Sequence, residues 1–183
     1  MTTRATAAGP APTRPDRIAR PDRIARVEIR DARPGDIDAI VDIGHRTWPP
    51  TYGFAGDEYV RHGLDTWWSR EAIERSLRDT TVLVAAGEPG LLGVGNIDLR
   101  ADVPVIWKLY VVPEAQGTGA GTALIAALVD RAPGRPVRLE YLDGNERAAR
   151  FYRRRGFTEL RRQPGEEPGR PATVWMERPA TGS

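Results

Sequence analysis

The stretch "VVPEAQGTGAGTALIAAL", residues 111–128, places three glycines within five positions, between an apolar run and an Ala/Leu-rich segment. Glycines clustered in this way serve a tight turn or a close approach of the backbone. A strand, a glycine-rich turn and a helix start form the usual arrangement for holding phosphate, because free N–H groups and the positive end of the helix dipole point at the anion. The stretch therefore predicts an anion site where a helix begins, at Thr118 or Gly119.

Three other interpretations of the same glycines can be compared with it. A P-loop requires a second glycine five residues after the first, followed by a lysine; Thr122 stands at that position after Gly117 and no lysine follows, which excludes this motif. A dinucleotide fingerprint fits Gly117 and Gly119, and Glu140 on the next strand lies at the expected distance, but too few residues follow for a second nucleotide-binding half. A tight turn without any ligand also remains open.

Composition limits the classes of function. The chain has 183 residues, of which 40% are hydrophobic, and a formal net charge of +2, so we expect one domain with a real core. The absence of cysteine and the presence of only two histidines argue against disulfides, thiol nucleophiles and a metal centre. The sequence has no basic stripe with interleaved aromatics, so we expect no nucleic-acid partner. It also has no apolar run of the kind that a membrane span or a signal peptide requires. We therefore expect a cytoplasmic protein.

The chain divides into two parts. Residues 1–25 are rich in Ala, Pro, Thr and Arg and carry the sequence "RPDRIA" twice, at 14–19 and 20–25. Their low content of apolar residues predicts a disordered tail, and two short copies are too few for a repeat architecture. A single domain is expected over residues 26–179.

Hydrophobic periodicity within the domain predicts the order β-α-α-β-β-β-α-β-α-β-β. Residues 49–64, between the first two helices, are turn-rich and partly aromatic. The order predicts an α/β (α+β) protein with a mixed sheet of about seven strands and about four helices. The predicted helices are residues 33–48, 69–79, 118–130 and 145–156, and the predicted strands are residues 26–30, 80–86, 90–99, 103–112, 136–143, 157–162 and 172–179.

Two segments of the chain resemble the GNAT N-acetyltransferases. The segment "QGTGAG", residues 116–121, is similar to the family's Q/R-x-x-G-x-G/A loop, whose main-chain amides bind the pyrophosphate of acetyl-CoA. The segment "NERAARFYRRRGF", residues 145–157, is similar to the family's N-x-x-A-x-x-F/L-Y-x-x-x-G-F pattern. The resemblance implies the acyl-CoA N-acyltransferase fold, whose mostly antiparallel sheet splays open at the middle.

The resemblance also implies a set of contacts to acetyl-CoA. Main-chain groups of Leu109, Tyr110 and Val111 would meet the pantetheine arm and the thioester carbonyl. By the same resemblance, the backbone N–H of Leu109 would stabilise the oxyanion. The remaining residues that the resemblance assigns to acetyl-CoA are Gln116, Gly117, Thr118, Gly119, Ala120, Gly121, Asn145 and Tyr152.

Two side chains are predicted to carry the proton transfers. Tyr152 falls at the family's catalytic tyrosine, and a phenol with a pKa of about 10 can protonate a departing thiolate with a pKa of about 8.5. Glu140 resembles the strand glutamate that relatives acting on protein N-termini use as the base. The strand "VIWKLYV" carries Trp107 and Lys108 where many relatives have a glutamate, so the base is less settled, and Asp98 or a water-mediated path is an alternative.

The expected function is acetyl transfer from acetyl-CoA to the primary amine of a small molecule or of a peptide N-terminus. The alternative is a non-catalytic acyl-CoA-binding sensor, which the missing strand carboxylate favours. A homodimer is left open. Five aromatic residues between the first two helices would form the acceptor wall, with Asp57 or Glu58 attracting a cation: Trp48, Tyr52, Phe54, Trp67 and Trp68.

Overall fold

The computed structural model describes residues 27–165 and 170–180, and the predicted tail, residues 1–25, lies outside them. Five α-helices are present in the described part of the chain: α1 (Ile37–Tyr52), α2 (Asp57–Trp67), α3 (Arg70–Asp79), α4 (Ala120–Asp130) and α5 (Glu146–Arg153). The strands are β1 (Glu28–Asp31), β2 (Thr81–Ala86), β3 (Leu91–Asp98), β4 (Val105–Val111), β5 (Val137–Leu142), β6 (Thr158–Gln163) and β7 (Thr173–Arg178). None of these helices is long and apolar enough to cross a bilayer.

All seven strands form one sheet in the order β1-β2-β3-β4-β5-β7-β6. Every neighbouring pair is antiparallel except β4 and β5, which are parallel. This confirms the prediction of a mixed, mostly antiparallel sheet of seven strands. The parallel pair stands at the centre of the sheet, between an N-terminal and a C-terminal half.

Helices cover both faces of the N-terminal half of the sheet. Helix α4 packs closely on β3, because a Cβ added at Gly93 would meet Leu124 at 3.0 Å and one at Gly95 would meet Leu128 at 2.7 Å. Side chains alternate along a strand, so the neighbouring Asn96 points to the opposite face. Helices α1, α2 and α3 lie on that opposite face, where they surround a cavity that Asn96 also lines.

The prediction of about four helices was one helix short. Residues 49–64 are not a turn-rich connection: α1 continues through Pro49 and Pro50 to Tyr52, and α2 begins at Asp57. Aromatic packing explains the difference, because the ring of Trp48 lies 4.2 Å from that of Tyr52 and 5.9 Å from that of Tyr59. Tertiary contacts of this kind override the local preference of proline and glycine for turns.

Replacing Gly44 by alanine is expected to destabilise the fold, although the same change in an exposed helix would stabilise it by about 1 kcal/mol. A Cβ at Gly44 would lie 2.1 Å from the ring of Trp68, which is fully buried. Overpacking of this kind costs about 1–3 kcal/mol, so the denaturant midpoint should fall. Gly35→Ala is the matched control, because nothing lies within 4 Å of its added Cβ; an equal midpoint in the two variants would contradict the packing argument.

Candidate active site

The glycine-rich turn forms an open N-terminus for α4. Gly117 and Gly119 have φ angles of +83° and +99°, a left-handed conformation that favours glycine. Within the described part of the chain, the amides of Gly117, Gly119, Ala120 and Gly121 have no hydrogen-bond acceptor. A Cβ at Gly117 or Gly119 would meet nothing within 4 Å. The turn therefore presents unpaired N–H groups to open space, as an anion site requires.

The other loop residues hold the turn together. The Gln116 side chain donates to the Val111 carbonyl at 3.0 Å and accepts from Arg147 at 2.5 Å. The Thr118 hydroxyl donates to the Ala115 carbonyl at 2.6 Å. The main-chain amides of Gln116 and Thr118 also donate within the turn, at 3.2 and 3.4 Å. Direct contacts to an anion are thus left to the amides of residues 117 and 119–122.

The central strands separate after a short parallel ladder. β4 and β5 pair only at Val105–Arg138 and Ile106–Leu139, although both strands continue. A bulge lies at Trp107, because Asn96 pairs with Lys108 while Ile97 pairs with Ile106. A bulge bends its strand and disrupts the ladder locally. The result is a gap between β4 and β5, which matches the splayed sheet implied by the resemblance.

The alternation of the antiparallel ladder decides which main-chain groups face this gap. The Val112 amide donates to the Leu92 carbonyl of β3 at 2.9 Å, so Tyr110 also directs its main chain toward β3. Leu109 and Val111 direct theirs toward the gap. The register pairs the Tyr110 main chain with β3 and so gives no support to its predicted contact with a ligand, which stays a prediction. The predicted orientation of Leu109 and Val111 agrees with the register.

A cavity of about 520 Å³ lies beside the gap, on the face covered by α1, α2 and α3. Of the five predicted wall aromatics, four line it, but Phe54 does not: its ring is 51% exposed and packs over Gly144. Asp57 and Glu58 are also absent from the lining, so the predicted acidic attraction for a cation is not formed there. The aromatic lining consists of Trp48, Tyr52, Tyr59, Trp67, Trp68, Trp107, Tyr110 and Tyr141.

Glu140 projects from β5 into this cavity. Burial raises the pKa of its carboxyl group, and the positive charge of Arg161 opposes that rise. The residue keeps solvent access at the cavity mouth, which argues for a smaller shift than complete burial would give. Its charge also acts on the hydroxyls of Tyr52 and Tyr59, so the carboxylate and these two phenols face a common space.

Tyr152 lies on α5, among the rings of Tyr141, Phe151 and Phe157 at 6.3, 5.4 and 6.0 Å. Burial raises its pKa well above that of a free tyrosine, and interaction with Tyr52 raises it further. Its hydroxyl has no hydrogen-bond partner among the residues that the structure describes. Tyr152 does not line the cavity that Glu140 enters, so the two predicted proton-transfer groups lie in different surroundings.

Helix α5 connects the glycine turn with the cavity. The ring of Phe151 would lie 3.5 Å from a Cβ at Gly121, while the adjacent Tyr152 interacts with Tyr52 and Tyr110 of the cavity wall. Asn145 begins this helix, and its side-chain oxygen accepts from the Ala148 amide at 3.0 Å. The oxygen of Asn145 thus serves as a helix cap, and its contact with acetyl-CoA stays a prediction.

Asp98, the alternative base, is held in an ion pair. Its two carboxylate oxygens accept hydrogen bonds from the Arg100 side chain at 2.9 and 2.7 Å. This pairing keeps the pKa of Asp98 below its ordinary value. A carboxylate stabilised in this way is a weaker base than Glu140.

Lys108 is a cavity residue whose importance the sequence analysis missed. It is half-buried on β4, with its ammonium 5.6 Å from the centre of the Trp68 ring. Burial and, to a smaller extent, the nearby charge of Arg75 together lower its pKa to about 8. A lysine inside the apolar run "VIWKLYVV" was the available signal, because lysine is almost never buried without a reason.

Comparison with known proteins identifies the family. Residues 37–157 match the model of the acetyltransferase (GNAT) family, and the chain belongs to that family. An uncharacterized N-acetyltransferase of Methanocaldococcus jannaschii is 28% identical over 140 residues, which are 72% of this chain and 60% of that protein's length. The chain thus spans less than two thirds of this curated relative.

Solved structures share the fold. The PaiA N-acetyltransferase of Thermoplasma acidophilum in complex with coenzyme A has a TM-score of 0.71 and 22% identity, covering 84% of this chain and 99% of that one. The ribosomal-protein-S18-alanine N-acetyltransferase of Escherichia coli has a TM-score of 0.69 and 19% identity, covering 86% and 96%. These likenesses confirm the acyl-CoA N-acyltransferase fold.

Proposed function

We propose that the chain transfers the acetyl group of acetyl-CoA to a primary amine by direct attack within a ternary complex. The observation that carries this proposal is the set of unpaired amides at the start of α4, next to the gap between β4 and β5. Family membership supports acetyl-CoA as the donor, and the relative from Thermoplasma was solved with coenzyme A.

Each end of the donor has a matching part of the site. The amides of Gly117, Gly119, Ala120 and Gly121 would hold the diphosphate, where the helix dipole adds to the hydrogen bonds. The thioester would lie in the gap, where the Leu109 N–H points at the carbonyl oxygen that becomes negative in the transition state. Val111 would contribute its N–H, since Gln116 already occupies its carbonyl.

The chemistry requires two proton movements. The amine nitrogen forms a bond to the acetyl carbon and the carbon–sulfur bond breaks. Glu140 accepts the proton that the amine loses, directly or through a water molecule, and Tyr152 donates a proton to the departing thiolate. Alignment of the two substrates supplies the rest, which can lower the barrier by about 7–11 kcal/mol.

The volume of the cavity favours a small acceptor. Pockets for small molecules measure roughly 300–1,000 Å³, and this one measures about 520 Å³. A peptide N-terminus is the other acceptor class, and the relative from Escherichia coli is named for an alanine of a ribosomal protein. Because the cavity has the volume of a small-molecule pocket, we favour a small-molecule amine over a peptide.

Gly119→Ala is expected to weaken acetyl-CoA binding by about tenfold, because a methyl group at the positive φ displaces the amides that hold the diphosphate; a loss of tenfold corresponds to about 1.4 kcal/mol. Isothermal titration calorimetry measures the change. Gly134→Ala is the matched control, since Gly134 also has a positive φ, of +67°, and open space for a Cβ. Equal losses of affinity in both variants, or no binding by the wild type, would contradict the proposal.

A non-catalytic acyl-CoA sensor is the second candidate. Trp107 and Lys108 stand on β4 where many relatives carry a glutamate, and this observation favours it. A sensor would bind acetyl-CoA with full affinity and release no thiol with any amine. Thiol release across an amine panel, followed with a thiol-reactive dye, separates the two candidates.

A further inference from the structure

The cavity contains two cations that no protein carboxylate neutralises. Lys108 on β4 and Arg75 on α3 both line it. Neither forms an ion pair or a side-chain hydrogen bond with any residue that the structure describes. They are close enough for the charge of Arg75 to lower the pKa of Lys108. Lys108 is half-buried and Arg75 is exposed to solvent, so the pair presents positive charge at the cavity that an anionic ligand can complement.

The other charged groups of the cavity do not fill this role. Asp98 is engaged by Arg100, whose charge also interacts with Asp79. Asp79 lies one helical turn after Arg75, but no oxygen of Asp79 lies within the 4.0 Å of a salt bridge to it. Glu140 projects from β5 and interacts with Arg161. The negative charges are thus paired or located on other elements, and the Lys108–Arg75 pair remains uncompensated.

Asn96 is a buried polar neighbour of Lys108 in the strand register. It is 3% exposed and lines the same cavity, directly opposite Lys108 in the strand register. Its side-chain NH₂ donates to the Thr80 hydroxyl at 3.2 Å, and that hydroxyl donates to the Ser76 carbonyl at 2.7 Å. This chain of donors fixes the orientation of the amide. The Asn96 oxygen consequently has no partner, and a buried acceptor without a donor is costly.

We propose that the acceptor amine carries an anionic group, a carboxylate or a phosphate, which binds between Lys108 and Arg75. This proposal rests on the proposed function. The reacting amine would lie toward Glu140, on the strand across the gap. The substrate class is therefore a small amine with a negatively charged tail, not a polycation.

Amines of similar length with different tails test the proposal: butylamine, putrescine, γ-aminobutyrate and aminopropylphosphonate. The amine with the matching anion should exceed butylamine in kcat/KM by about tenfold or more, as expected for charge-assisted hydrogen bonds. The two anionic amines distinguish a carboxylate site from a phosphate site. Preference for putrescine, or equal use of butylamine and both anionic amines, would overturn the proposal.

Substitutions at Lys108 and at a control arginine test whether the anionic group binds at the proposed site. Lys108→Met should raise KM for the anionic amine by about tenfold more than it raises KM for butylamine. Arg78→Met is the control, because Arg78 is an exposed arginine on the same helix as Arg75 and does not line the cavity. An unchanged KM in Lys108→Met would overturn the assignment. Because the variant removes an uncompensated charge, its melting temperature without ligand should not fall, and a fall would indicate a structural role instead.

Failure of the proposed function would be distinguishable from failure of this inference. Ligand-observed NMR in the presence of coenzyme A measures binding of each amine without requiring turnover. If no amine is acetylated but anionic amines bind better than butylamine, the transferase proposal fails and the anion site stands. If butylamine binds as well as the anionic amines, the anion site fails, whatever the turnover.

Discussion

Replacing Glu140 by glutamine is expected to lower kcat for acetyl transfer about a hundredfold or more near neutral pH, within the range of general base catalysis. The amide keeps the size and hydrogen bonding of the side chain but cannot accept the proton that the amine loses. Acetyl-CoA affinity should stay unchanged, because Glu140 lies in the acceptor-side cavity. Steady-state thiol release and calorimetry measure the two quantities separately.

The pH dependence of activity provides a second test of Glu140 as the base. Burial raises the pKa of Glu140 above its ordinary value, and the deprotonated form is the base. Activity should therefore rise with pH through that raised pKa, and the acidic limb should flatten in Glu140→Gln. Glu159→Gln is the control, since Glu159 is an exposed strand glutamate that pairs with Arg162. An unchanged acidic limb in Glu140→Gln would assign the base elsewhere.

The sheet could be predicted from the sequence because each strand carries its own signal. β2 and β3 are nearly continuous buried runs, which apolar patterning identifies. Helix α2 could not be predicted in this way. Its buried face is set by contacts of Tyr59 and Trp67 with Trp48 of α1, and such contacts between elements are invisible in a local window.

The candidate site likewise has parts that the sequence predicts and parts that it does not. The turn at Gly117 and Gly119 could be predicted because the positive φ angles that it requires strongly favour glycine. The direction of the Tyr110 main chain could not be predicted, because it depends on the register between β3 and β4. The proposed anion site combines Lys108 of β4 with Arg75 of α3. It therefore depends on tertiary packing, which no single stretch of sequence encodes.

Tyr152→Phe is expected to lower kcat about a hundredfold or more, the usual contribution of a positioned general acid, while acetyl-CoA affinity remains. Burial holds the pKa of Tyr152 above that of a free phenol, so the proton is present across the working pH range. Phenylalanine preserves the packing against Phe151 and Phe157 and removes only the donor. Stopped-flow measurement of thiol release isolates the chemical step.

The acidity of the leaving thiol separates proton donation from a structural role. A thiolate of lower pKa departs without help, so an acetyl donor built on an acidic aryl thiol should recover much of the rate that Tyr152→Phe loses with acetyl-CoA. Tyr152 cannot set a basic limb near neutral pH, because its raised pKa keeps it protonated there. If the variant were equally slow with both donors, Tyr152 would act by positioning the substrates, and the thiolate would take its proton from water in the gap between β4 and β5.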